Sequence, residues 1–460
     1  MYERLCSVGL DVGTTSTQLI VSQLEIQNLA GSFTVPEMQI TNRTILYQSP
    51  VYFTPLKSES LVDGDGIRKI VETEYEEAGI RREDVDTGAV IITGETSRKE
   101  NAAAVLDALS ELSGDFVVAT AGPDLESILA AKGAGAVEYS KETGQTVLHM
   151  DIGGGTSNLA LIEDGKITVT GCLNVGGRLL KLDSSGKINY ISPVLKELCK
   201  LPVGEIITKH QAEEVAALLV QALEMAAGLR EKTPLWDKLW TTEAGTPFSI
   251  MPGKKPVLSF SGGVADCIEK ELPWLQFGDL GPVLGQMIRK SRLCEGPYRL
   301  GDQTIRATVI GAGCHSAQLS GSTVYHRNIP FPLKNRPVVR LTEAEQQLSC
   351  DDLAKCIAAK LSAQDTDSVL SLPGWQSPDY NRIKALADAI TGGFGNRPIA
   401  VAVEQDMAKA LGQAIALRTS VTRPCLCIDR VRLTEGSYLD VAPPVGPCLP
   451  VVVKTLILSQ

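Results

Sequence analysis

The sequence predicts an α/β protein built around two copies of one strand–loop–strand unit. Three observations carry that expectation. Apolar runs of strand length alternate with helical runs through most of the chain. The segments LCSVGLDVGTTSTQLIV (5–21) and TVLHMDIGGGTSNLALI (146–162) share one design: an apolar strand, an Asp, a turn of Gly and Thr, and a second strand. A third segment, PVLSFSGGVADCIEK (256–270), reads as a strand, a Gly-Gly turn and a helix.

In the first unit Asp11 stands at a strand end, with Gly13, Thr14 and Thr15 in the turn. Glycine lets the backbone come close to a ligand. Successive N–H groups in such a turn form a concave anion site. The Thr hydroxyls suit a phosphate, and the carboxylate suits a magnesium-bound water. An ordinary hairpin turn favours the same residues. The second unit repeats the pattern, with Asp151 for Asp11, Gly153, Gly154 and Gly155 in the turn, and Thr156 for Thr15. That recurrence singles out both units, which together would grip a phosphate chain from two sides. In the third segment Gly262 and Gly263 would let a nucleoside lie flat on the backbone. Asp266 falls early in the helix expected there, whose N-terminus would lie nearby.

The elements between follow in order. TGAVIITGE (87–95) reads as a strand, KENAAAVLDALSEL (99–112) as a helix, DFVVATAGP (115–123) as a strand, and ESILAAKGAGAVEYS (126–140) as beginning helical. Residues 182–204 read as polar and turn-rich, and 211–230 as a long amphipathic helix. Residues 233–255, with two Trp and several Pro and Gly, read as a surface excursion. TIRATVI (304–310) reads as a strand running into GAGCHSAQLSG. Beyond residue 322 the alternation restarts: an extended Pro-containing stretch, a helical run over 341–361, then PIAVAVEQD, AKALGQAIALR and PCLCIDRVRL as strand, helix and strand. YLDVAPPV and LPVVVKTLIL close the chain as strands.

Composition narrows the function classes. A chain of 460 residues exceeds one small core, so about two to four domains are expected. With 44 basic against 54 acidic residues the net charge is -10, which argues against nucleic-acid binding by an overall basic surface. No window reaches the length of a membrane span. No signal-peptide pattern opens the sequence, so a cytoplasmic location is expected. The 11 Cys lack zinc spacing and imply reduced thiols. His149, two positions before Asp151, reads as a core histidine.

The two Asp–Gly units and the Gly-Gly turn, in this order, resemble the actin, Hsp70 and sugar-kinase superfamily of ATPases. ESILAAKGAGA (126–136) resembles that superfamily's first connecting helix, with Ser127 where the family has Pro. IGAGCHSAQL (310–319) resembles its second. The wording of the whole chain resembles the family of ethanolamine ammonia-lyase-reactivating factors. It does so through GLDVGTTSTQLIVSQL, ITNRTILYQSPVYFTPL, HMDIGGGTSNLALIEDG, LSFSGGVADCI and LPVVVKTLIL.

The resemblance implies an actin-like ATPase fold with lobes at 1–145 and 146–322, an insertion near 182–255, and a further α/β domain at 323–460. It implies ATP and Mg²⁺ as cofactors, with Asp11 and Asp151 holding the metal's hydration shell. Phosphates fall to Thr14, Thr15, Gly154, Gly155 and Thr156 and the adenosine to Gly262 and Gly263, with Gly13, Gly153, Asp266 and Gly311 completing the nucleotide-binding set. Glu126 is the candidate for positioning the attacking water, with Asp151 as the alternative because of Ser127. The implied activity is weak ATP hydrolysis coupled to reshaping a client, ethanolamine ammonia-lyase. Damaged cobalamin would leave the client and intact adenosylcobalamin would enter it. The family also implies association with a bacterial microcompartment, and a homodimer stays open. A carbohydrate-type kinase and an actin-like structural ATPase are the rival readings.

Overall fold

Glu3–Val12 (β1) and Ser16–Asn28 (β2) form an antiparallel hairpin in full register from Glu3↔Ile26 to Val12↔Thr17. The computed structural model describes the chain apart from residues 1–2, 14–15, 30–37, 59–60, 94–100, 102–104, 106–108, 110–116, 121–122, 242–254, 316–317, 321–322, 365–366, 432, 434–436, 445–447 and 456–460. Met38–Gln48 (β3) continues the hairpin as a third antiparallel strand, and the short Tyr52–Phe53 (β4) pairs with the start of β2. Thr87–Ile92 (β5) and Val117–Thr120 (β6) add in parallel, giving the order β3-β2-β1-β5-β6. β5 is buried along its whole length, as a parallel strand covered on both faces is.

The second sheet repeats this plan. Val147–Ile152 (β7), Ser157–Glu163 (β8) and Lys166–Leu173 (β9) form an antiparallel run. Leu180–Leu182 (β10) and Ile188–Ile191 (β11) pair apart from it. Val257–Ser261 (β12) and Tyr298–Leu300 (β13) add to β7 in parallel. The order β9-β8-β7-β12-β13 thus matches the first sheet strand for strand. The duplication visible in two short motifs extends to two whole sheets.

Among the described residues the helices of these two units are Gly64–Ala78 (α1), Pro123–Gly133 (α2), Ala136–Thr143 (α3), Pro193–Leu198 (α4), Lys209–Ala226 (α5), Pro234–Leu239 (α6), Gly281–Arg289 (α7) and Ala307–His315 (α8). α2 follows the first sheet but packs on β7, β8 and β9 of the second; α8 follows the second sheet but packs on β1, β2 and β5 of the first. The two helices also pack on each other, so they tie the two sheets together. A Cβ on Gly133 would lie 1.9 Å from the Ala307 carbonyl oxygen, and one on Gly311 would lie 2.1 Å from that of Leu129. Only glycine permits that approach.

Several expectations need correction. Both connecting helices start three residues earlier than the resemblance placed them. TIRATVI is not a strand, because α8 is helical from Ala307. Its residues from Ala307 to Cys314 are all buried, so the helix carries no polar face to set a 3.6-residue rhythm, and its β-branched residues mimic a strand. GVADCIEK does not form the expected helix; only one 3-10 turn, Ala265–Cys267, follows β12. The turn-rich stretch after residue 182 contains β11 and α4, and it sends Ile188, Ile191 and Leu195 into the second unit's core. The start of the supposed surface excursion is α6, whose Trp236 is buried and stacks on Trp240 at 4.7 Å. Most of the helix expected over 99–112, and both Thr14 and Thr15, lie outside the described residues.

The third sheet has eight strands among the described residues: Gln318–Leu319 (β14), Tyr325–Arg327 (β15), Leu333–Arg340 (β16), Val369–Leu372 (β17), Ile399–Val403 (β18), Cys425–Asp429 (β19), Ser437–Val441 (β20) and Pro450–Thr455 (β21). β16 to β19 are parallel neighbours, flanked by antiparallel β20, β21 and β14 on one side and β15 on the other. The sequence reading passed over β17. Glu343–Gln346 (α9), Cys350–Ser362 (α10), Tyr380–Phe394 (α11) and Ala408–Ala416 (α12) accompany it, and the last three bury their apolar faces against the sheet. β14 lies ahead of residue 323, where the sequence places the third unit's start. Val452 of β21 packs with Leu5, Leu24 and Ile26 of the first sheet. None of the 11 cysteines is joined in a disulfide. Among the described residues no helix is long and apolar enough to cross a membrane.

Candidate functional site

The two Asp loops are closed by matching hydrogen bonds. Gly13 N–H donates to Ser16 O at 2.9 Å, and Gly153 N–H donates to Thr156 O at 2.9 Å, so each turn closes on one shared hydrogen bond. Each loop is then held by other elements. Thr54, just after β4, donates its hydroxyl to Gly13 O at 2.8 Å. Gly177 and Arg178 donate their N–H groups to Gly153 O at 3.0 Å and Gly154 O at 2.7 Å.

Both carboxylates line one cavity of about 310 Å³ between the two sheets. Asp11 and Asp151 are nearly buried, at 9% and 6% exposure. Each receives a hydroxyl from beside the parallel neighbour of its strand: Thr93 Oγ1 donates to Asp11 at 2.9 Å, and Ser261 Oγ donates to Asp151 in a short contact. Thr308 of α8 reaches the other oxygen of Asp151 at 3.5 Å. Burial pushes Asp11 up to about 7, against the Thr93 hydrogen bond and with help from the negative charge of Asp151. Burial pushes Asp151 up to about 6, with Ser261 and Thr308 acting in the opposite direction.

Cross-strand neighbours complete the pattern. Asp11 pairs with Gln18, and Asp151 with Asn158. Both amides line the cavity, and Gln18 Oε1 and Asn158 Oδ1 are buried without a hydrogen-bond donor. Two raised carboxylates and two orphaned amide oxygens make an all-oxygen donor set, which suits a hard divalent cation. Among the described residues no group of three or more His, Cys, Asp or Glu side chains could enclose a metal. Such a set fits Mg²⁺, which keeps several waters and draws other ligands from phosphate.

His149 is buried and held between Ser259 at 3.1 Å (Nδ1) and Ser261 at 2.9 Å (Nε2). Burial, with the Arg299 charge, pushes it down to about 3, so the ring is neutral. Because Ser261 gives its proton to Asp151, it must accept from Nε2–H, and Nδ1 then accepts from Ser259. The expected core histidine is thus part of a chain that ends on Asp151.

The other sequence candidates fall as follows. Glu126, in the first turn of α2, lines the cavity, as do Gly13, Gly153, Gly154, Gly155, Thr156, Gly262, Gly263 and Asp266. Asp266 accepts from the Thr304 hydroxyl at 2.8 Å. Gly262 adopts φ 84° with its Cα against Ile152, where a Cβ would lie 2.3 Å from a carbonyl oxygen. Gly311 is not among the lining residues; it sits at the α2–α8 crossing. Ser127, in place of the family's Pro, turns its hydroxyl to Gly171 O at 3.3 Å. Sequence reasoning missed Gln18, Asn158, Thr93, Thr308, Arg178 and Asp279. The first two could have been found from the motif pair, since each stands seven residues after its Asp.

A family model described as "Ethanolamine utilisation protein EutA" matches residues 3–459. The chain belongs to the EutA family. It is 37% identical over 477 residues to the ethanolamine ammonia-lyase reactivase EutA of Salmonella typhimurium, covering 98% of each chain. It is 37% identical over 472 residues, again covering 98% of each, to the Escherichia coli protein of the same name. Among solved structures, the Aquifex aeolicus PPX-GPPA enzyme aligns with 68% of this chain and 99% of its own, at 13% identity and a TM-score of 0.41. The ethanolamine utilization protein EutJ from Carboxydothermus hydrogenoformans aligns with 68% of this chain and 89% of its own, at 17% identity and a TM-score of 0.31. In this EutA-family chain, two sheets of matching strand order each carry one of the two Asp loops.

Proposed function

We propose that the chain is an ATP-dependent reactivase of ethanolamine ammonia-lyase, hydrolysing ATP slowly in the cavity between its two lobes. The name of its full-length relatives supports the client. One observation supports the nucleotide: two matched Asp loops from different sheets line a single cavity, each with an orphaned amide oxygen at its side.

Asp11 and Asp151, with Gln18 and Asn158, hold the hydration shell of Mg²⁺. The metal supplies neutralisation of phosphate charge when bound. The N–H groups of Gly154 and Gly155 and the Thr156 hydroxyl bind phosphate oxygens, with the turn that opens at Gly13 as the other lobe's contribution. The nucleoside lies on Gly262 and Gly263, which have no side chain to obstruct it. Glu126 orients the water that attacks the terminal phosphorus; the bond to the bridging oxygen breaks, giving ADP and phosphate.

Loss of that phosphate removes a link between the two loops and lets the lobes part about α2 and α8. For this to drive a client, the closed form must bind ATP better than the open form does. A full reversal from 1:99 to 99:1 needs about 5.5 kcal/mol of such preference. In the client, lobe motion would loosen damaged cobalamin so that intact adenosylcobalamin can enter.

The test is rescue. Glycerol- or substrate-inactivated ethanolamine ammonia-lyase should regain activity with this protein, ATP, Mg²⁺ and fresh adenosylcobalamin, and should stay inactive with the Asp11→Ala variant. No recovery with the intact protein would reject the client assignment, and recovery without ATP would reject the nucleotide's role.

A further inference from the structure

We propose that Arg178 grips the polyphosphate end of the nucleotide, and that Phe53 on the opposite lobe is the seat on which its guanidinium closes; this rests on the nucleotide reading above. The charge of the cavity motivates it. Asp11, Glu126, Asp151, Asp266 and Asp279 line the cavity, and Arg178 is the one Lys or Arg side chain among the described lining residues. A polyanion entering such a site needs a fixed positive group besides its metal.

Arg178 is built for that task. Its backbone N–H is pinned to Gly154 O, so its position follows the phosphate-binding turn. Its Nε donates to Asp279 Oδ2 at 3.2 Å, and the side chain keeps 26% exposure toward the cavity. Asp279 is itself fixed, accepting Gly281 N–H at 2.8 Å at the start of α7. Among the described residues Nε is the guanidinium's donating atom, leaving the terminal N–H fork, the edge whose geometry matches a phosphate.

Phe53 faces it from the first lobe. The Arg178 guanidinium carbon stands 5.7 Å from the ring centroid, within cation–π range. The ring is 80% exposed, yet its neighbours are tied down. Tyr52 donates its hydroxyl to buried Glu74 of α1, and Thr54 bonds Gly13 O. Strand alternation then leaves Phe53 turned toward the cleft. Arg178 therefore touches three things at once: the phosphate turn of its own lobe, the cavity, and the opposite lobe. Phe53 acts through Arg178 and is a positioning residue.

The experiment is calorimetric titration of the full chain with MgATP, MgADP and AMP. Arg178→Gln should weaken MgATP and MgADP by about 10- to 100-fold, the worth of a charge-assisted contact, and leave AMP much less affected. Phe53→Leu should weaken MgATP by about two- to fivefold, and Phe53→Trp should retain the wild-type value, because the ring face and not the apolar bulk is required. Phe53 is exposed enough that its variants test the proposal even if Arg178→Gln does not fold. Equal losses for all three nucleotides, no loss, or identical behaviour of Phe53→Leu and Phe53→Trp would overturn it while leaving the nucleotide reading intact. Failure of the wild type to bind any of the three would overturn both.

Discussion

Asp11 meets two opposed demands. As the proposed cation-directing group it must be ionised, yet the fold leaves it nearly buried and under the negative charge of Asp151. Its folded pKa of about 7 lies above the usual 3.8, so the folded chain holds a proton that the unfolded chain has released. Between these values stability falls as pH rises, and above pH 7 the ligand-free protein bears the full cost of a buried charge. Asp11→Asn, which keeps an oxygen for the Thr93 hydroxyl, should therefore stabilise the ligand-free protein at pH 8 by about 1–3 kcal/mol, give no gain at pH 4, and abolish Mg²⁺-dependent nucleotide binding. Urea unfolding at the two pH values measures this; a variant less stable than wild type at pH 8 would reject it. Asp11 and Asp151 were legible in the sequence because strand–Asp–Gly–Thr–strand occurs twice. Arg178 was not, because nothing local marks a residue whose partners are Asp279 and Phe53, both distant in the chain.

At the scale of elements, the α2–α8 crossing decides how the two sheets are joined. Gly133 and Gly311 each stand where a Cβ would meet a carbonyl oxygen of the other helix, at 1.9 and 2.1 Å. Backbone cannot retreat from such a clash as a flexible side chain would. Gly311→Ala should cost about 1–3 kcal/mol or more and depress nucleotide-dependent turnover by displacing Thr308, which reaches Asp151 from the same helix. Gly296→Ala is the control, since a Cβ there meets nothing within 4 Å. Thermal melts of the two variants measure the difference, and equal melting would refute the crossing's role. These glycines show why α8 was misread. Its residues Thr308, Val309 and Ile310 suit a strand locally, and the glycines that allow two helices to touch look, in one dimension, like a turn. What makes the segment helical is burial on every side, a property of the assembled lobes. The strand at β5 was legible for the complementary reason: a short apolar run bounded by polar residues has little choice between two layers.

For the whole molecule, the third sheet meets the first along one edge, the one made by β14 and β21. The chain leaves α8 and pairs as β14 with β21, at Gln318↔Val451 and Leu319↔Pro450. On the same strand, Val452 sits 6% exposed among Leu5, Leu24 and Ile26, the buried side chains of β1 and β2 that lead into the first Asp loop. The nucleotide-driven movement proposed above would then either carry β21 with it or break this contact. If the third sheet delivers lobe motion to the client, weakening the contact should separate the two activities. Val452→Ala removes two methyl groups from the junction, at a cost of about 1–2 kcal/mol, without touching the cavity. The expected result is unchanged MgATP affinity with reduced rescue of inactivated ethanolamine ammonia-lyase, read by calorimetry and by recovered lyase activity. Rescue undiminished beside normal nucleotide binding would mean that the client takes its motion from the lobes directly. Parallel loss of both would mean that the contact supports the first lobe's stability and transmits nothing.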